Sequence, residues 1–197
     1  MKEKGIVLGL AALAVIALAS VPADAKRGQC LKQTATILGT NGKDTLKGTA
    51  GDDVIQGNGG NDRIKGRGGD DTICAGKGKD KVLAGSGDDV ALGGEGNDRQ
   101  FGDDGSDFVA GGIGDDHGEG GPGDDSVWGD EKEYGSTDTG ADELFGGPGY
   151  DELGGGRGPD FLDGGPELDY CVGGRADGQD DGRQDTAVNC EETVAVP

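Results

Sequence analysis

Aromatic residues make up only 4% of this 197-residue chain, and histidine, methionine and tryptophan occur once each. So little bulky apolar surface scarcely offsets the entropy of ordering a backbone, which excludes a large hydrophobic core and demands another source of folding energy. With His117 as the sole histidine and no Cys-x-x-Cys, the composition also argues against a structural zinc centre. Bases are scarce too: 18 Lys plus Arg stand against 39 Asp plus Glu, a net charge of -21. A chain of that charge repels nucleic acid and anionic membrane and attracts cations.

There is one long apolar run, "GIVLGLAALAVIALA", preceded by Lys2 and Lys4 and followed by "SVPADA". It is short for a membrane span, and Ala23 and Ala25 have the small-residue spacing that a signal peptidase accepts. The expectation is a cleaved secretory signal over 1–25, a mature chain from Lys26, no membrane insertion afterwards, and release to the outside because "EETVAVP" at the other end adds no second apolar segment. Residues 26 to 81 carry eleven bases against seven acids, whereas 82 to 197 carry five against thirty. The basic first third reads as a solvated face, or as a surface for an anionic polymer of the cell surface or matrix.

Cys30, Cys74, Cys171 and Cys190 remain in the exported chain, and an even number in an oxidising compartment reads as disulfides. Three pairings are possible. Cys30 with Cys74 and Cys171 with Cys190 is favoured because each pair would clamp one end of the repeats, contributing about 3 to 4 kcal/mol apiece in the chain-entropy model.

What the chain has in abundance is glycine, 45 residues, and a nine-residue period. Units begin at 39, 48, 57, 66, 75, 84, 93, 102, 111 and 120, and their sixth places are Asp44, Asp53, Asp62, Asp71, Asp80, Asp89, Asp98, Asp107, Asp116 and Asp125. After "GDEKEYGS" (129–136) the phase resumes with Asp142, Asp151, Asp160 and Asp169. The eighth place is Leu, Ile or Val in ten units, among them Ile55, Ile64 and Leu153, while Gln100 and Gly118 interrupt the column. The fourth place is Gly in every unit but one, where Glu167 stands.

A single apolar residue between two polar ones is a three-residue strand with one side chain turned inward. The six residues before it must reverse the chain, and glycine supplies the positive-φ conformations for that. If two units make one circuit, alternate strands stack about 4.8 Å apart as two parallel sheets, with the eighth-place residues forming a thin core between them. Asp44 then lies near Asp62, and Asp53 near Asp71, so like charges oppose folding unless a cation sits between the turns. Calcium suits that position: it takes 6 to 8 hard oxygens and accepts backbone carbonyls, whereas magnesium wants a tighter octahedron and soft metals want thiolate or imidazole.

"GNGGNDRIK" (57–65), "GRGGDDTIC" (66–74) and "GGPGYDELG" (146–154) resemble the G-G-x-G-x-D-x-U-x nonapeptide of the RTX, or hemolysin-type, calcium-binding repeats. The resemblance implies an all-β, right-handed parallel β-roll that is disordered until several calcium ions bind. The fourteen sixth-place aspartates would be ligands, completed by carbonyls of the turn glycines. The expected layout is signal peptide (1–25), N-terminal cap (26–38), first array (39–128), insertion loop (129–136), second array (137–172) and C-terminal cap or acidic tail (173–197). "CLKQTATILGTNGKDTLKGTAGDDVI" and "DYCVGGRADGQDDGRQDTAVNCEE" are similar to the ends of secreted actinobacterial proteins of this kind. Toxins of the family usually leave the cell through a C-terminal signal, so the N-terminal signal here weakens a toxin reading.

Three departures matter: Gln100 and Gly118 should make the middle the least stable stretch, and the lysines of "AGKGKDKVL" surround Asp80. Units stacked within each array give about ten inter-turn sites. "DGQDDG" (177–182) lacks the closing Glu of an EF-hand, since Val188 holds that place, and reads as an acidic tail. His117 has no nucleophile or orienting acid assembled around it in the sequence, so no enzymatic activity is expected. Phe101, Phe108, Trp128, Phe145, Phe161 and Tyr170 flank core positions and should pack along the sheet exterior.

Overall fold

The computed structural model of the chain describes residues 29–130, 139–174 and 185–193. The signal expected over 1–25, the start at Lys26, most of the insertion loop and the "DGQDDG" stretch lie outside them. Every regular element among the described residues is a β-strand. An amphipathic helix needs an apolar residue every three or four places, and the repeat supplies one in nine.

The strands wind into a parallel β-roll of two sheets. The eight-stranded sheet runs from Thr45–Lys47 to Thr186–Val188, and the nine-stranded sheet runs from Ile37–Leu38 to Glu192–Thr193. Alternate units pair in parallel with an eighteen-residue offset, so Ile64 faces Val82 and Ile55 faces Ile73. Two nonapeptides therefore make one circuit. Across the interruption the register holds with a longer offset: Gly118 faces Leu144 and Val127 faces Leu153.

The eighth-place side chains form the core, with Ile55, Ile64, Ile73, Val82, Val109, Val127, Leu144, Leu153 and Leu162 all but inaccessible to solvent. Gln100 takes its place in that column, fully buried; its Nε2 donates to the carbonyl of Ala110 at 2.8 Å while Oε1 has no partner. At Gly118 the neighbours have closed in, since an added Cβ would lie 2.9 Å from Cγ1 of Val127.

The strands are longer than the three residues that one apolar side chain implies. In the middle of the roll they span six, as in Arg63–Gly68 and Val90–Glu95. Pairing continues past a left-handed residue at the second place, where Arg67 (φ 93°) faces Gly85 (φ 128°). Because neighbouring coils bend at the same place, the bend does not break the ladder.

Both disulfides follow the favoured pairing. Cys30–Cys74 ties the N-terminal hairpin Gln29–Thr34 to the nine-stranded sheet, and Cys171–Cys190 fills the last core position. On the exterior of the eight-stranded sheet, the rings of Phe101, His117, Phe145 and Phe161 form a ladder with centroids 5.3 to 5.9 Å apart. Trp128 is instead buried, its ring packed over the α-carbon of Gly154 in the adjacent strand.

Candidate metal sites along the turn edges

Each turn delivers its sixth-place aspartate to the edge of the roll just before the strand begins. There the carboxylate meets the corresponding aspartate of the previous coil. The backbone N–H of Asp44 donates to Oδ1 of Asp62 at 2.7 Å, that of Asp62 to Oδ1 of Asp80 at 2.6 Å, and so on down both edges. Thirteen such pairs occur among the described residues. Stacking within each array alone gives ten. The additional pairs are Asp116 with Asp142 and Asp125 with Asp151, which bridge the interruption, and Asp160 with Asp185.

Asp185 was not legible as a turn residue because its turn exceeds nine residues. The one available cue was "DTAV" (185–188), an aspartate two places before an apolar residue. Asp130 is another carboxylate outside the register, this one buried, and its Oδ2 accepts from the backbone N–H of Arg157 at 2.9 Å.

The second carboxylate oxygen lies against the start of its own turn. Oδ2 of Asp62, Asp71, Asp80, Asp89, Asp98, Asp107, Asp125, Asp142, Asp151 and Asp169 is buried with no hydrogen-bond partner. Beside it lie the first residue of the same turn and the carbonyl of the matching residue one coil on. A Cβ added at Gly57 would come within 2.7 Å of Oδ2 of Asp62 and 2.3 Å of the carbonyl oxygen of Ala75. At Gly66 the same atom would meet Oδ2 of Asp71 at 2.1 Å and the carbonyl of Ala84 at 2.3 Å. The glycine thus keeps clear a cradle lined by an anionic oxygen and a backbone carbonyl.

Burial raises the proton affinity of these carboxyls. It pushes Asp62, Asp71, Asp80 and Asp169 up from the ordinary 3.8, against the opposing pull of the backbone N–H that each accepts. Asp107 and Asp151 rise to about 6, Asp89, Asp98 and Asp125 to about 7, and Asp142 to about 9, with burial the main cause and nearby carboxylates adding to it. A buried carboxylate in that state calls for either a proton or a cation.

Among the described residues no three carboxylate, imidazole or thiolate side chains converge on one point. A cation at a turn edge would therefore meet few carboxylates and complete its shell with backbone carbonyls or water. Hard oxygens of that mixed kind suit calcium.

The first two turns differ. Oδ2 of Asp44 accepts the backbone N–H of Thr40 at 2.6 Å and its hydroxyl at 2.8 Å. Oδ2 of Asp53 accepts the same pair from Thr49 at 2.7 and 2.9 Å, and its Oδ1 accepts the hydroxyl of Thr36 at 3.1 Å. The backbone N–H of Thr49 holds the Asp53 carboxyl below the ordinary range, opposite to the aspartates further along.

His117 sits between the rings of Phe101 and Phe145, with Nε2 2.8 Å from Oε1 of Glu119 and Nδ1 3.4 Å from Oε2 of Glu143. It lies on a sheet face, away from the turn edges.

A family model for the RTX calcium-binding nonapeptide repeat, of 4 copies, matches residues 38–73, 75–109, 110–131, 136–171 and 151–179. No curated protein and no solved structure matches the chain.

Proposed function

Since this chain belongs to the RTX calcium-binding nonapeptide repeat family, we propose that it is a secreted protein whose β-roll folds when calcium enters between stacked turns. The observation that carries this reading is the file of buried, unpartnered Oδ2 atoms along both edges. Leaving so many carboxylates dehydrated and without a counter-charge costs several kcal/mol each, more than a core one side chain thick offsets. Calcium bound there supplies the missing charge. The sixth-place aspartates and the carbonyls of the first-place residues are the groups that would hold it, and a first-place glycine keeps the space clear at most turns, with Ala75 and Ala84 in its place before Asp80 and Asp89.

Export fits the same physics. The signal over 1–25 would carry the chain out of a cytosol poor in free calcium, unfolded, and external calcium would then add its binding energy to folding. The disulfides belong to the same oxidising exterior. We read the chain as non-enzymatic, with His117 a member of the exterior ladder.

The test is a calcium titration of residues 26 to 197 followed by circular dichroism, with fluorescence of buried Trp128 in parallel. A cooperative gain of β signal is expected. Full β structure in calcium-stripped buffer, with no heat of calcium binding, would sink the reading.

A second reading, a calcium-stiffened rod that adheres to an anionic cell-surface or matrix polymer, draws support from the face of the eight-stranded sheet. Lys47, Arg63, Lys65, Lys81 and Arg99 are exposed on four adjacent strands, with Arg63, Lys81 and Arg99 directly in register. Like charges so aligned repel, and an anionic chain laid along the axis would relieve them. Calcium-dependent retention on an acidic polysaccharide, abolished by replacing those five residues with glutamine, is the expected result. Retention that survives the replacement would exclude this face.

A further inference from the structure

We propose that Thr40 and Thr49 plug the first two inter-turn positions, so that the N-terminal coil closes without metal and calcium occupies the roll only from the turn of Asp62 onward. The inference rests on the calcium reading above and concerns which turns accept the ion.

The plugged positions are the same positions that stand open elsewhere. An added Cβ at Gly39 would lie 3.1 Å from Oδ2 of Asp44 and 2.5 Å from the carbonyl of Gly57, and one at Gly48 would lie 3.0 Å from Oδ2 of Asp53 and 2.3 Å from the carbonyl of Gly66. Carboxylate oxygen, first-place glycine and next-coil carbonyl are arranged as they are around Asp62 and Asp71. What differs is the donor count. In these two turns Oδ2 receives an N–H and an O–H from one threonine, at 2.6 to 2.9 Å. Two donors aimed at the oxygen take up the lone pairs that a cation would use, and place their own partial positive charges where it would sit.

The threonines also set the backbone. In the described units that follow, the second residue takes a left-handed φ, as at Asn58 (75°), Arg67 (93°), Gly76 (113°) and Gly85 (128°), and the fourth commonly does so, as at Gly60 (114°) and Gly69 (92°). Thr40, Gly42, Thr49 and Gly51 do not. A β-branched residue is strongly disfavoured at positive φ, so threonine at the second place holds these turns in another conformation. There the amide of Gly42 donates to the Thr40 hydroxyl oxygen at 3.1 Å, and that of Gly51 to the Thr49 hydroxyl oxygen at 3.2 Å. These are side-chain-closed turns of the kind that Ser and Thr favour. A solenoid needs a distinct terminal unit because its last coil has a neighbour on one side only. Here that unit is closed by hydroxyls, above turns closed by metal.

The experiment is native mass spectrometry of the secreted chain at saturating calcium, counting bound ions, with circular dichroism to verify folding. Asp44→Asn with Asp53→Asn should leave the count unchanged, because those carboxylates hold no metal. Asp62→Asn with Asp71→Asn should lower it. Thr40→Gly with Thr49→Gly, which places at both positions the residue that opens later turns, should raise it by two. A lower count in the Asp44/Asp53 variant, or no gain in the Thr40/Thr49 variant, overturns the plugs while leaving calcium binding intact. A parent chain that binds no calcium refutes the calcium reading and the plugs with it.

Discussion

The backbone N–H of Asp116 donates to Oδ1 of Asp142 at 2.8 Å across an interval of 26 residues, where the neighbouring pairs are separated by 18. The interruption therefore leaves unchanged which coil stacks on which. Gly129 lies against Oδ2 of Asp142 as Gly111 lies against Oδ2 of Asp116, and Gly140 lies against the carbonyl of Gly114. Joining Asp130 directly to Thr139 would leave "GDTGADELF", a unit with Gly, Asp and Leu at the first, sixth and eighth places.

Deletion of residues 131–138 should accordingly preserve the roll. Shortening the connection from fourteen residues to six lowers the closure entropy cost by about 0.7 kcal/mol, so the melting temperature in calcium should hold or rise slightly. Loss of the calcium-induced β signal would show that these eight residues are required for stacking.

Gln100 brings an amide into the core with Oε1 unsatisfied, flanked in register by Val82 and Gly118. Gln100→Leu fills a similar volume without that polar atom and should stabilise the calcium-loaded protein by about 1 to 3 kcal/mol. The midpoint of urea unfolding in excess calcium reads this directly. A lower midpoint would mean that the hydrogen bond to Ala110 outweighs the orphaned oxygen.

Glu167 occupies the fourth place with φ 80°, where Gly149 (153°) and Gly158 (139°) serve in the two preceding units. An L-residue there is strained by about 1 to 2 kcal/mol. Glu167→Gly relieves the strain at the cost of unfolded-state entropy and of the 3.3 Å contact from the Gly149 amide to Oε2. A net gain of about 0.5 to 1 kcal/mol is expected, seen as a higher melting temperature. Unchanged or reduced stability would place the value of that contact above the strain.

The buried carboxyls give the metal-free roll a defined pH dependence. Their folded pKa values lie above the ordinary 3.8, at about 6 for Asp107 and Asp151 and about 7 for Asp89, Asp98 and Asp125. The folded state thus binds more protons than the unfolded one. The stability these groups contribute is fully present below about pH 4 and is lost as pH rises through about 6 to 7. In calcium-stripped buffer, acidification from pH 8 to pH 5 should increase β content, while the calcium concentration needed for folding should rise over the same interval as protons compete for the oxygens. Asp53, whose pKa is lowered, works in the opposite sense, losing its contribution as pH falls through its folded value. A calcium-free chain equally unstructured at both pH values would show that protonation cannot replace the cation.

Much of the architecture was fixed by local pattern. The aspartate register, the eighth-place column ending at Cys171 and the eighteen-residue circuit all follow from a period that repeats with few errors, because identical units stack most favourably on their own copies. The disulfide pairing was likewise legible, since only two of the cysteines lie near each end of the array. Strand length was not legible. Whether Arg67 or Asn58 ends a strand at a positive φ depends on the neighbouring coil bending at the same place, which is a property of the ladder.

Two further features were decided only in three dimensions. The stacking of Asp116 on Asp142 and of Asp160 on Asp185 depends on parallel strands finding their partners across turns of irregular length, which a strict count of nine cannot register. The contrast between Asp44, enclosed by Thr40, and Asp62, left with a bare oxygen, turns on one residue four places before each aspartate. The sequence shows Thr40 at one and Asn58 at the other; only folding the turn reveals that the first hydroxyl reaches the carboxylate and that the second residue, at positive φ, leaves the space beside it open.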